Sequence, residues 1–121
     1  MSFEHYQWHL FRSNLDPVTG SEQRGTRPVL VVSDEDYNQL MPVVTVLPLT
    51  FRKPGRHIYP NEVLLPKGTA GLAEDSIVLA HQIRTIAKAR LTQQYGEIQS
   101  ETFREAVRQA LKIHLTLEPE T

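Results

Sequence analysis

The sequence predicts a mainly β fold with a C-terminal helix, an α+β arrangement in which a small, strongly bent barrel forms one domain over residues 1–121. The chain has 121 residues, 40% of them hydrophobic, which is enough for one core and too few for two. Short β-prone runs separated by turn residues fill about residues 5–91, a pattern typical of a sandwich or small barrel. Helical spacing of apolar residues is clearest after residue 100, so we expect the main helix there.

The β-prone runs define the strands in chain order. Around Trp8 the spacing of Tyr6, Trp8 and Leu10 predicts that they share one face of a first strand. Runs rich in β-branched residues follow at residues 28–33, 43–50, 62–65 and 76–86. Turn residues separate them, including Asp16-Pro17, Gly20-Ser21, Lys53-Pro54-Gly55 and Lys67-Gly68. Pro48 within the third run predicts an edge strand or a bulge.

Two segments carry helix signals. The run Ser33-Asp34-Glu35-Asp36 resembles a capping sequence and predicts a short helical turn within residues 33–40. From residue 103 onward, the apolar residues at positions 103, 107, 110 and 111, together with His114, are spaced so that they lie on one helix face. Ser100 is the expected N-cap, and Glu101 lies where the helix dipole favours an anion. We therefore expect a C-terminal helix over about residues 101–114.

Composition excludes several classes of protein. With 13 Lys and Arg against 14 Asp and Glu, the net charge is −1, so any binding of nucleic acid must come from local basic clusters. The absence of cysteine excludes disulfides, thiolate metal sites and a cysteine nucleophile. His5 and His9 lie too far apart on a strand to chelate a metal without help, and neither metal nor cofactor is expected. No apolar run approaches the roughly 20 residues of a membrane helix, and no secretory signal is evident; we expect a cytoplasmic protein.

A polar segment at residues 20–27 (GSEQRGTR) is the densest cluster of chemically useful side chains. Its glycines allow close backbone approach, and its arginines offer planar forks of donors, as a phosphate cradle requires. A flexible, solvated hairpin loop is the alternative interpretation. Arg27 stands out because Pro28 follows it directly and restricts it to an extended conformation at the start of a strand.

Four segments together resemble MazF/PemK-type toxins, the endoribonuclease components of type II toxin–antitoxin systems. They are residues 14–17 (NLDP), 20–33 (GSEQRGTRPVLVVS), 46–50 (VLPLT) and 75–91 (DSIVLAHQIRTIAKARL). They occur in the family's order, and the resemblance covers about residues 7–117. The family usually opens its first strand with Gly-Asp, whereas this chain has Trp8-His9.

This resemblance implies a compact SH3-like barrel of the plasmid-maintenance and growth-inhibitor toxin type. It also implies a homodimer that binds single-stranded RNA in a groove at the subunit interface and is inhibited by a cognate antitoxin. Members cleave RNA at short motifs without metal, through attack by the 2′-hydroxyl that leaves a 2′,3′-cyclic phosphate and a 5′-hydroxyl. The matching catalytic residues are Arg27, Thr50 and Glu22. Arg27 and Thr50 would stabilise the phosphoryl charge, and Glu22 would accept the 2′-hydroxyl proton if it lies within reach.

Further residues are predicted to contact RNA. They are Ser21, Gln23, Arg24, Arg52, Lys53, Arg56, Ser76, Gln82 and Arg84. The stretch of residues 52–57 either follows the RNA backbone or is only a solvated turn. The alternative function is a non-catalytic barrel, either a gyrase-directed toxin or an inactive homologue that only binds its antitoxin.

Overall fold

The computed structural model describes residues 2–117, within which seven strands form one antiparallel sheet. The strands are β1 (His9–Asn14), β2 (Thr26–Val31), β3 (Val43–Phe51), β4 (Glu62–Leu65), β5 (Ser76–Leu79), β6 (Arg84–Ala87) and β7 (Leu91–Glu97). Their order is β4-β5-β3-β2-β1-β7, with β6 also paired to β3. Between the described strands β4 and β7 the hydrogen-bonded path stays open, so the predicted barrel is a bent sheet rather than a closed ring. The mainly β fold with a C-terminal helix is confirmed.

The long strand β3 is the axis about which the sheet bends. It pairs with β6 through Val43–Val46 and with β5 through Leu49–Phe51, while β2 lies on its other side. Pro48 lies between these two pairings, where β3 changes partner. Of the two expectations for Pro48, an edge strand or a bulge, the edge strand was wrong, because β3 is central. Proline, which has no N–H to donate, is instead accommodated where β3 changes partner.

The single strand predicted over residues 76–86 was also wrong. A 3₁₀ turn at Ala80–Gln82 separates β5 from β6. Both strands pair with β3, but their registers against it differ by three residues. The three-residue turn takes up this difference. His81 and Gln82 consequently lie on a turn rather than within a strand. Two further 3₁₀ turns lie at Thr69–Gly71 and Lys88–Arg90.

Core residues occupy both faces of the sheet. Trp8 and Leu10 pack in one cluster, whereas Tyr6 packs with Phe11 in the other. The prediction that Tyr6 and Trp8 share a face of one strand was thus wrong. Strand β1 begins only at His9, and the left-handed backbone of Trp8 (φ 65°) breaks the alternation expected of an extended chain.

Both helices occur where the sequence predicts them. Helix α1 spans Glu35–Leu40 and is capped by Asp34, whose carboxylate accepts from the N–H of Asp36. Helix α2 spans Glu101–Leu115, and the Ser100 hydroxyl accepts from the N–H of Phe103. Val107 and Ala110 of α2 are buried in the cluster that contains Trp8. Within residues 2–117, neither helix combines the length and the apolar character that crossing a bilayer requires.

Candidate active site

The register between β2 and β3 brings Arg27 and Thr50 together. Val29 pairs with Pro48 in this antiparallel ladder. Continuing the register by two residues towards the start of β2 places Arg27 opposite Thr50. Both residues are partly exposed, so their side chains are accessible to a ligand while their backbones remain in the sheet.

Two hydrogen bonds orient the Arg27 guanidinium. Its Nε donates to the carbonyl of Arg24 (2.8 Å), and its Nη1 donates to the carbonyl of Leu49 (3.3 Å), the residue before Thr50. Among residues 2–117, neither Nη2 of Arg27 nor the Thr50 hydroxyl has a hydrogen-bond partner. The side chain is therefore held in place while it retains donors for an anionic ligand.

A cleft of about 260 Å³ contains both side chains. Its lining is formed by Thr26, Arg27, Pro28, Leu49, Thr50, Phe51, Lys53 and Ser76. A neighbouring cleft of about 260 Å³ shares Thr26, Arg27, Pro28 and Phe51, and adds Arg12 and Tyr95 among others. The Ser76 hydroxyl donates to the carbonyl of Glu74. Of the predicted RNA-contacting residues, Lys53 and Ser76 thus join Arg27 and Thr50 at one site.

Phe51 is a cleft residue that the sequence analysis missed. The residue is 56% exposed and lines both clefts, and aromatic faces of this kind stack on nucleic-acid bases. The available signal was an aromatic side chain directly after Thr50 at the end of a predicted strand. Arg12 and Tyr95 carried no comparable signal, because they come from β1 and β7 and reach the cleft only through the fold.

Glu22 lies on the loop between β1 and β2 and does not line the cleft. The Glu22 carboxylate accepts from the N–H of Thr19 (3.2 Å). Arg24 donates to the carbonyl of Gly20 (2.7 Å), and Ser21 is exposed. These contacts lie within the loop itself, and Glu22 is not among the residues that line the cleft with Arg27 and Thr50.

Gln82 and Arg84 hold this same loop from the other side. The amide oxygen of Gln82 accepts from the N–H of Gln23 (3.4 Å), and Arg84 donates to the carbonyl of Leu15 (3.2 Å). Both residues belong to the segment that follows β5. The structure therefore places Gln23, Gln82 and Arg84 together at the base of the loop and outside the lining of the cleft.

The basic segment after β3 divides into two parts. Lys53 lines the cleft, whereas the guanidinium of Arg52 donates to the carbonyl of Arg56. Arg56 forms a bidentate ion pair with Glu62 (2.8 and 2.9 Å). The hydrogen bonds from Arg56 hold the pKa of the Glu62 carboxyl at about 2, although burial acts in the opposite direction. The fork of Arg56 is thus occupied by a carboxylate.

The chain resembles proteins of known class over almost its whole length. Residues 6–115 match the family of PemK-like, MazF-like toxins of type II toxin–antitoxin systems. The endoribonuclease EndoA of Bacillus subtilis (strain 168) is 36% identical over 108 residues, covering 89% of this chain and 91% of EndoA.

Solved structures agree with this relationship. MazF from Deinococcus radiodurans has a TM-score of 0.79 and 31% identity, covering 95% of this chain and 99% of that one. A MazE–MazF structure from the same organism has a TM-score of 0.73 and 30% identity, covering 97% of this chain and 100% of that one. The chain therefore belongs to the PemK-like, MazF-like toxin family. It is a toxin of the MazF endoribonuclease type, which confirms the family and the activity class predicted from the sequence.

Proposed function

We propose that this toxin cleaves single-stranded RNA without metal, by attack of a 2′-hydroxyl on the adjacent phosphate in the cleft between Arg27 and Thr50. The observation that carries the proposal is the shared cleft, in which a tethered guanidinium and a free hydroxyl line one cavity. Attack by the 2′-hydroxyl adds negative charge to the phosphoryl oxygens. Fixed donors that face this charge lower the barrier.

Arg27 is the proposed principal stabiliser of that charge. Its hydrogen bonds to the carbonyls of Arg24 and Leu49 hold the guanidinium in place before substrate binds. Such preorganisation avoids the cost of reorienting a long side chain in the transition state. The planar fork suits two phosphoryl oxygens, or one of these and the leaving 5′-oxygen.

Thr50 and Glu22 have different proposed roles. The Thr50 hydroxyl donates to a phosphoryl oxygen opposite Arg27. Glu22 accepts the proton of the attacking 2′-hydroxyl in the RNA-bound state. Glu22 does not line the cleft, so this role requires its side chain to turn towards the bound RNA.

Contacts along the strand of RNA come from residues around the cleft. We assign phosphate contacts to Lys53 and Arg52. Ser21, Gln23 and Arg24 are proposed to contact RNA from the loop between β1 and β2. Ser76 lines the floor of the cleft. Gln82 and Arg84 support the loop through their contacts to Gln23 and Leu15. Arg56 is left out of the RNA-contacting set, because its fork is bound to Glu62.

The proposed partners are a second copy of the chain and a cognate antitoxin, with action in the cytoplasm. Membership of a toxin–antitoxin family and the similarity to a MazE–MazF structure support these partners. Antitoxin binding over the cleft would block access to Arg27 and Thr50.

The test is cleavage of a mixed single-stranded RNA pool in EDTA by wild-type protein and Arg27→Ala. We expect cleavage to persist in EDTA and to fall by about 100- to 1,000-fold in the variant. Arg108→Gln is the matched control, because this arginine lies on α2 and pairs with Glu101 and Glu105; its activity should equal that of wild type.

The chemistry of the products makes the test specific. Fragments with 5′-hydroxyl and 2′,3′-cyclic phosphate ends are expected, and a 2′-deoxy nucleotide at the cut site should abolish cleavage because the nucleophile is missing. Cutting that needs a divalent cation, or that survives 2′-deoxy substitution, would overturn the mechanism. Growth arrest without cleavage of any RNA would support the non-catalytic binder instead.

A further inference from the structure

A buried carboxylate lies behind the basic turn that borders the cleft. Glu62 is the first residue of β4, and its side chain is only 1% exposed. It accepts from both terminal nitrogens of Arg56 (2.8 and 2.9 Å), from the N–H of Tyr59 (3.0 Å) and from Nε2 of His81 (2.8 Å). Burying a charge is costly unless it is paired and hydrogen-bonded in this way.

The contacts of Glu62 continue to the edge of the cleft. Arg56 closes a tight turn of residues 53–56, in which its N–H donates to the carbonyl of Lys53 (3.1 Å). Pro54 and Gly55 (φ 77°) occupy the two central positions, where a type II turn favours proline and requires positive φ. Fixing Arg56 therefore fixes the backbone of Lys53, whose side chain lines the cleft beside Thr50.

The Glu62 carboxylate also contacts the 3₁₀ turn that supports the loop between β1 and β2. His81 belongs to the 3₁₀ turn Ala80–Gln82, and Gln82 of this turn accepts from the N–H of Gln23. Glu62 thus joins the turn that carries Lys53 to the turn that holds the loop between β1 and β2.

We infer that Glu62 is a positioning residue for RNA binding, which holds the turn of residues 53–56 so that the Lys53 ammonium stands at the cleft. The inference rests on the proposed function, since it assumes that RNA occupies this cleft. Glu62 does not touch the substrate; it acts through Arg56 and the turn. Its loss should weaken binding of RNA while leaving the chemical step at Arg27 and Thr50 intact.

The test compares Glu62→Gln, Lys53→Ala and the double variant with wild type. We expect each single variant to raise KM by about tenfold, with kcat unchanged within about twofold. Because Glu62 is inferred to act on RNA through Lys53, the double variant should show no rise beyond that of Lys53→Ala alone. Glu97→Gln is the control, since it removes a more exposed ion pair with Arg104 (3.0 Å) at a cleft that Lys53 does not line; its KM should match wild type.

Two further measurements keep the inference separate from the proposed function. The dissociation constant for an RNA with a 2′-deoxy nucleotide at the cut site reports binding without chemistry, and amide hydrogen exchange over residues 53–59 reports the turn itself. Faster exchange in Glu62→Gln with unchanged affinity and KM would overturn the inference, as would independent, multiplying effects of Glu62→Gln and Lys53→Ala. If Glu62→Gln unfolds, Arg56→Lys keeps a positive charge beside the buried carboxylate, loses the bidentate fork that fixes the turn, and should also raise KM; an unchanged KM in a folded Arg56→Lys would overturn the inference.

Failure of wild-type protein to cut RNA would instead refute the proposed function. The comparison of RNA-binding affinities would still decide the role of Glu62.

Discussion

Trp8 illustrates how one residue can satisfy two opposing demands. It stands where the family usually has glycine, and its φ of 65° lies in the left-handed region that favours glycine. This conformation costs a non-glycine residue roughly 1–2 kcal/mol. The indole is nevertheless only 8% exposed in the core, and the guanidiniums of Arg104 and Arg108 lie 5.4 and 5.2 Å from its ring centre. Burial of so large a side chain stabilises the fold by more than the backbone strain costs.

The Thr50 hydroxyl provides the sharpest test at the scale of one residue. Thr50→Val preserves the shape of the side chain and removes the donor, so we expect cleavage to fall by about 100-fold. Thr50→Ser retains the hydroxyl and should remain within about tenfold of wild type. Single-turnover cleavage of one RNA by each protein measures the effect. Equal activity of Thr50→Val and wild type would exclude a hydroxyl contact to the phosphate.

At the scale of elements, α2 completes the core that the sheet begins. It buries Val107 and Ala110 against the cluster that contains Trp8, and it contacts β4 and the turn Ala80–Gln82. Its first turn needs outside acceptors for N–H groups that have no partner within the helix. Ser100 supplies one of them.

Removing this cap should weaken α2 without changing the active site. Ser100→Ala is expected to lower the free energy of unfolding by about 1 kcal/mol, and Ser100→Asp should restore it because its carboxylate can accept the same N–H. Urea denaturation measures the stability, and RNA cleavage at a fixed protein concentration provides the control. An unchanged midpoint in Ser100→Ala would mean that the Phe103 N–H is satisfied equally well by water.

At the scale of the whole molecule, Glu62 links stability to pH. Arg56 and His81 face its carboxylate directly, and the ring of His114 lies 6.3 Å from that of His81. Hydrogen bonds from Arg56 lower the pKa of Glu62 to about 2 in the folded protein. The stability that this carboxylate contributes is therefore present above the unfolded pKa of roughly 4.3 and is lost as the pH falls towards 2.

The comparison of wild type with Glu62→Gln isolates this contribution. As the pH falls from about 5 to 2, the wild-type protein should lose on the order of 3 kcal/mol more stability than the variant. Other carboxylates, including Glu35, titrate in both proteins and cancel in the difference. Urea unfolding at a series of pH values measures it. Parallel pH profiles for the two proteins would mean that Glu62 carries no stabilising charge.

Much of the fold could be predicted because local patterns agreed with it. The β-branched runs identified β2, β3 and β4, and the capping sequences located α1 and α2 to within a residue or two. The break within residues 76–86 could not be predicted from these runs. It exists because both halves pair with β3 in different registers, a long-range constraint that leaves no mark on the local pattern.

For the site, the sequence by itself determined which functional groups are available: an arginine held extended by Pro28, a threonine at the end of a β-branched run, and basic residues in a turn. Only the tertiary structure decided which of these groups meet. Pairing of β2 with β3 brings Arg27 to Thr50. The ion pair with Glu62 occupies the Arg56 guanidinium, so Arg56 is not available to an RNA phosphate. The physical reason is that residue type and local backbone preference are encoded within a few positions of the chain, whereas strand register and the pairing of buried charges depend on segments far apart in it.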